Sequence, residues 1–239
     1  MSDQNCVYLL KLLAGMYTLL KTTLLNPPIY KELFQAVQSI ESDAHNFIVN
    51  WSQSTGYDKH VELFELGWCC ESALPRAYLL TLLYFSLESL WKDPKYISDT
   101  FSACKSIQHP LKGSFLYSRL HSFLKEIYSR EEEMAALIIG YSVETFTTLL
   151  RFFCRWHQSL PTRTTETSFI TSLFKECFEE FFVDLGGMCS YDMFEVVELP
   201  TILTELVNSQ DVLAQSLIFT SLVQVMKHVY VYCKIPSSL

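Results

Sequence analysis

Helix-length segments separated by short, regularly placed breaks constrain this chain more than any other feature. The breaks fall at Asn26-Pro27-Pro28, Thr55-Gly56, Leu74-Pro75, Asp93-Pro94, His109-Pro110, Ser129, Pro161, Gly186-Gly187 and Asn208-Ser209. Between them, apolar residues recur at the i, i+3, i+4, i+7 spacing that lines one face of a helix. Leu33, Val37, Ile40, Ala44, Phe47 and Ile48 make one such stripe. Phe169, Leu173, Phe174, Cys177, Phe178 and Phe181 make another. Strand signals are weak, with 7 glycines in 239 residues and no Asn-Gly or Asp-Gly pair to turn a hairpin. The pattern predicts an all-α chain of about nine or ten helices, whose short connections favour antiparallel neighbours. Helix pairs at roughly 40-residue intervals correspond to a HEAT-like α-solenoid. We read residues 1–239 as a single such domain, with a compact bundle as the other architecture.

Several breaks carry their own start signal. Pro28, Pro75, Pro94 and Pro110 can each open a helix, where the missing N–H is not needed. Ser129 and Glu132 have capping-box spacing, and Glu131 to Glu133 would sit on the positive end of the following helix. Gly186-Gly187 is a good stop. Pro200 should kink or split the segment from Tyr191 to Val207.

The segments are unusually poor in charge. Only 18% of residues are charged against 49% hydrophobic, below the usual quarter for a soluble domain. Such a chain either covers much of its surface with a partner or enters a membrane. The runs Val7–Leu25, Met134–Phe153 and Val212–Cys233 are long enough to raise the second option. Lys11 and Lys21, Glu144 and Arg151, and Gln215, Gln224 and Lys227 interrupt them, and charges at mid-span are costly in lipid. An integral or monotopic helical membrane protein is therefore the alternative reading. Met1-Ser-Asp-Gln-Asn lacks the positive start of a signal peptide. The net charge of −8, without a run of Lys or Arg, argues against nucleic acid and against a polybasic membrane tether.

A search for catalytic or metal chemistry returns nothing that combines. No P-loop, GxGxxG or GxSxG segment is present. His60, Glu62 and Glu65 lack the second histidine of a zinc helix and read as a solvated face. Cys154 and His157 share a helix face without a second pair of ligands nearby. Cys69 and Cys70 point about 100° apart on a helix and read as packing. Glu176, Glu179, Glu180 and Asp184 read as the charged outer face of an amphipathic helix. The eight cysteines show no CxxC pair and read as reduced thiols used as small hydrophobes. The expectation is a chain with no catalytic residue, no cofactor and no metal.

Two segments are more specific. In Pro75-Arg76-Ala77-Tyr78-Leu79-Leu80, Arg76 falls in the first turn of a helix, where a cation opposes the macrodipole at a cost of a few tenths of a kcal/mol. Local helix energetics do not explain it, whereas an interface would, because the guanidinium fork suits carboxylates and carbonyls. In Gln108-His109-Pro110-Leu111-Lys112-Gly113, followed by Ser114-Phe115-Leu116-Tyr117, a helix boundary precedes a first-turn glycine that costs about 1 kcal/mol relative to Ala.

At these residues the chain resembles the N-terminal region of the large α-solenoid subunit of retromer, the vacuolar protein sorting-associated protein 35 family. That family carries Pro-Arg-Leu-Tyr-Leu-Leu, from which Ala77 departs. It also carries Gln-His-Pro-Leu-Arg-Gly-Leu-Phe-Leu-Arg, from which Lys112, Ser114 and Tyr117 depart. Phe64-Glu65-Leu66 and the stretch Leu203–Val225, with Asp211 to Gln215 inside it, fit as well. The resemblance implies a non-enzymatic scaffold of an endosomal coat that returns cargo from endosomes to the Golgi or plasma membrane. It implies that the helix opened by Pro75, with Arg76, Ala77, Tyr78, Leu79 and Leu80, docks an arrestin-like subunit. It implies nearby sorting nexin and cargo tails, and a cytoplasmic location peripheral to the endosomal membrane. The segment Gln108 to Gly113 would be structural. Ala77 removes apolar surface that a larger residue would bury, and Tyr117 removes any ion pair an arginine would make there. The family continues through many more helices, whose C-terminal half holds a metallophosphoesterase-like subunit, and binding of that subunit is not carried over. The chain reads as a fragment of a longer protein or as a truncated relative.

Overall fold

The computed structural model describes residues 3–159 continuously, together with scattered helical positions between 169 and 223. Seven α-helices lie in the continuous part: α1 (Asp3–Leu19), α2 (Pro27–Ser52), α3 (Tyr57–Trp68), α4 (Ala73–Ser86), α5 (Pro94–Lys105), α6 (Pro110–Arg130) and α7 (Ala135–Ser159). Two 3-10 turns, Glu88–Leu90 and Glu132–Met134, sit after α4 and before α7. No strand occurs among the described residues. The all-α expectation holds among the described residues and fits an α-solenoid; seven helices are described up to Ser159, and the nine or ten expected are for the full 239 residues. Pro161, Gly186-Gly187, Pro200 and the side chains of Cys154 and His157 lie outside what is described, as do most of the Leu203–Val225 stretch and most of the Phe169–Phe181 stripe. Contacts divide the chain into two compact units, residues 1–116 and 117–239, with the boundary inside α6.

Helix starts follow the breaks closely. Asn26 accepts the Ile29 N–H at 3.1 Å, and Pro27 and Pro28 fill the first two positions of α2. Asp93 likewise accepts the Lys95 N–H at 2.9 Å ahead of Pro94. Two expectations need correction. α4 opens at Ala73, so Pro75 is its third residue. Ser129 caps nothing, because it lies within α6 and its hydroxyl donates to the Glu126 carbonyl at 2.6 Å. The break is displaced to Glu131, and the acidic run forms the 3-10 turn.

In the first unit, α4 is the central helix and packs against α1, α2, α3 and α5. Arg76 is its one charged residue, and apolar residues occupy every face, the composition of a helix enclosed by neighbours. Leu79, Leu80, Leu82 and Leu83 are all buried, each worth about 1.5–3 kcal/mol of transfer from water. Gly67 lets α3 approach this helix: a Cβ there would stand 2.7 Å from Leu83 Cδ1. The Tyr84 carbonyl, left over in the last turn of α4, accepts the Trp91 indole N–H at 2.7 Å.

α2 buries Tyr30, Phe34, Val37, Glu41, Ala44, Ile48 and Trp51. The period is the one expected, but the face is rotated: Leu33 and Phe47 are only half-buried and Ile40 is exposed. His60 also moves. It is buried between hydroxyls, with Nδ1 2.6 Å from Ser89 Oγ and Nε2 3.0 Å from Thr55 Oγ1, while Glu62 stays exposed and Glu65 half-buried. Cys69 is exposed at the end of α3, not packed.

In the second unit, Tyr117 is buried with its ring 5.6 Å from that of Phe152. The position where the resembled motif carries an arginine is thus a core aromatic here. α7 holds the one stretch among the described residues long and apolar enough to cross a membrane, Ala135–Phe153, and half of that window is buried.

Candidate protein-docking site

The residues singled out in the sequence gather around one aromatic cluster of the first unit. Tyr78 of α4 stacks on Tyr17 of α1 at 5.1 Å and meets the edge of Phe34 of α2 at 6.3 Å. Phe34 in turn lies 4.7 Å from Phe115 of α6, which is 5.6 Å from Tyr30. The two motifs therefore meet through Phe34: Tyr78 comes from the first, and Phe115 lies two residues past Gly113 in the stretch that contains the second. Ring pairs of this kind add about 0.5–1.5 kcal/mol each beyond the area they bury.

Three polar contacts pin the cluster. The Tyr17 hydroxyl donates to the carboxylate of Glu41, which is only 4% exposed. Lys112 reaches across from α6 and donates to the Lys21 carbonyl at 2.6 Å, while the Tyr30 hydroxyl donates to the Leu20 carbonyl at 3.0 Å. Both acceptors lie just past the end of α1, where helix carbonyls lack intrahelical donors. Burial drives the Tyr30 phenol well above its usual range, so it remains a donor. Within the second motif, the Gly113 N–H donates to the His109 carbonyl at 2.7 Å, Leu111 and Gly113 are buried, and Gln108 and His109 are exposed.

The first motif divides sharply by exposure. Pro75, Ala77, Tyr78, Leu79 and Leu80 are buried inside the unit. Arg76 is the residue of the six that reaches the surface, and the motif is chiefly a core helix with one outward cation. Ala77 has no exposed surface, so the apolar bulk lost there is lost from the core.

Arg76 does not stand alone. Its guanidinium carbon lies 5.6 Å from the centre of the Trp68 ring, at the last residue of α3. Trp68 keeps 36% of its surface exposed and Leu66 keeps 42%. Arg76 Nε is buried without an acceptor. Trp68 was not singled out from the sequence, where it stands eight positions before Arg76 across a helix break. An aromatic ring beside an arginine on an exposed corner is the composition of an interface centre. Among the described residues, no group of three His, Cys, Asp or Glu side chains is placed to hold a metal ion.

Comparison with known proteins matches almost the whole chain. The family model described as vacuolar protein sorting-associated protein 35 matches residues 1–230. The protein of that name from Dictyostelium discoideum is 25% identical over 230 residues, covering 90% of this chain and 29% of its own length. Vacuolar protein sorting-associated proteins 35A and 35B from Arabidopsis thaliana are each 27% identical, over 92% and 95% of this chain. They are covered over 29% and 30% of their lengths, so the chain spans less than a third of the relatives it matches.

Proposed function

The chain belongs to the vacuolar protein sorting-associated protein 35 family, and on that premise we propose that it is a non-enzymatic scaffold of a retromer-like coat. In this role it binds an arrestin-like subunit and supports retrograde transport of cargo from endosomes to the Golgi or plasma membrane. It works on the cytoplasmic face of the endosomal membrane and is held there through partners, among them sorting nexin and cargo tails. Residues 1–239 act together as one scaffold region.

The observation that carries the reading is Arg76: one outward cation on a helix otherwise built as core. Pro75 and Tyr78 to Leu80 fix the helix, and Arg76 supplies the charge-assisted contact. Gln108 to Gly113 serve the fold, with Lys112 closing the end of α1. The test is capture of the arrestin-like subunit of the same organism by the wild-type chain and by Arg76→Ala. Capture is lost while far-UV circular dichroism is unchanged; full-strength capture by the variant removes the proposal. A second reading, an integral or monotopic membrane protein, draws on the apolar length of α7. Retention of the chain in membranes after a carbonate wash would favour it.

A further inference from the structure

We propose that Trp68 and Arg76 form one contact unit, a guanidinium held against an indole face, that receives a side-chain carboxylate from an acidic loop of the docked protein. The inference rests on the docking reading above and adds a second residue and a ligand chemistry to it.

Three observations lead here. The guanidinium lies within cation–π reach of the Trp68 ring, and Trp68 keeps 36% of its surface exposed. Arg76 has no carboxylate or acceptor of its own among the described residues, and its Nε is buried unsatisfied. Other cations of the first unit are engaged: Lys95 pairs with Glu65 at 2.9 Å and Lys59 with Glu62 at 2.6 Å. An arginine left without an anion, on a chain of net charge −8, is a local site of opposite sign to its own surroundings. Charge complementarity therefore selects an anionic occupant. The ring restricts the guanidinium to a few orientations, so less freedom is lost when a carboxylate binds the fork. Exposed Trp68 sets apolar surface beside the charge that excludes water once covered.

The experiment is calorimetric titration of the full chain with the arrestin-like subunit, at low and high salt, for wild type, Trp68→Ala, Trp68→Phe, Arg76→Lys, Arg76→Ala and the Trp68→Ala/Arg76→Ala double variant. Expected are losses of at least about tenfold for Trp68→Ala and Arg76→Ala, and a double variant no weaker than the weaker single, because the two act as a unit. Trp68→Phe keeps most of the affinity, since a ring remains. Arg76→Lys loses several-fold, because a point charge does not match the fork. Wild-type affinity falls with salt. Wild-type affinity in Trp68→Ala, with loss in Arg76→Ala, overturns the contact unit and leaves the docking reading standing. Additive losses in the double variant, or a wild-type affinity indifferent to salt, also overturn the unit. Undiminished binding by Arg76→Ala, or none by the wild type, overturns both. Should Trp68→Ala disturb the fold by circular dichroism, Trp68→Phe and Arg76→Lys decide the matter.

Discussion

The ring of Tyr78 lies stacked on that of Tyr17, with centroids 5.1 Å apart and planes 23° from parallel. This contact joins the family motif on α4 to the first helix of the chain, and it turns a recognition motif into a foundation. The side chain is fully buried and also meets Phe34. Tyr78→Ala therefore leaves a cavity at the centre of the first unit and destabilises it by about 3–5 kcal/mol. Urea denaturation followed by far-UV circular dichroism measures this; a shift below about 1 kcal/mol would show that the cluster does not hold the unit together.

Lys112 illustrates the same point for the second motif. Its stem is buried and its ammonium closes the carbonyl of Lys21 at 2.6 Å, across 91 positions of sequence. Lys112→Met keeps much of the stem and removes the donor. The loss should be about 1–3 kcal/mol, the range for leaving an acceptor unsatisfied. Arg, the residue the resembled family has here, should restore most of it in the same denaturation assay, because it retains both the stem and the charge-assisted donor.

What the sequence made legible, and what it did not, separates along the same lines. Asn26, Asp93 and the prolines after them announced helix starts because capping is local chemistry, settled within four residues. The rotation of α2 was hidden, since Leu33 and Ile40 share the period of Phe34 and Glu41. The inward face carries Tyr30, Phe34, Val37, Ile48 and Trp51, and the phenol of Tyr17 gives Glu41 a buried partner among them. His60 looked exposed beside Glu62 because Thr55 and Ser89, which satisfy its ring, are invisible as partners until the chain folds. The segment from Pro75 to Leu80 reads in sequence as a docking motif, yet five of its six residues are buried. An apolar helix reads alike whether it meets a partner or its own core. Trp68 was missed because its relation to Arg76 crosses the turn between α3 and α4.

Gly67 sets the distance between those two helices. A Cβ at that position would press on Leu83 Cδ1 at 2.7 Å and touch Leu80 Cδ2 at 3.5 Å. Leu83 has no exposed surface, so its methyl has little room to swing aside. Ala gains about 1 kcal/mol of helix propensity, while overpacking costs about 1–3. Gly67→Ala should thus be destabilising by on the order of 1 kcal/mol, and Gly67→Val by more. Thermal denaturation of the pair checks the order. A Gly67→Ala protein more stable than wild type would mean that Leu83 yields freely.

His60 gives the first unit a dependence on pH. Burial is the main cause that lowers its pKa below the ordinary 6.5, opposed by a backbone hydrogen bond at Ser52. The ring packs at 5.6 Å on Trp51 and holds hydroxyls of Thr55 and Ser89. Above pH 6.5 the imidazole is neutral both folded and unfolded, and its contribution is complete. As pH falls, the unfolded chain takes up the proton first, so stability declines until the folded histidine titrates as well. Replacing it by Gln retains some hydrogen bonding and removes the titration. His60→Gln should start about 1 kcal/mol less stable at pH 8 and lose less on acidification than the wild type does. Urea midpoints for both proteins across about pH 8 to pH 5.5 make the comparison. Parallel curves would show that burial of this ring is not what the acid attacks.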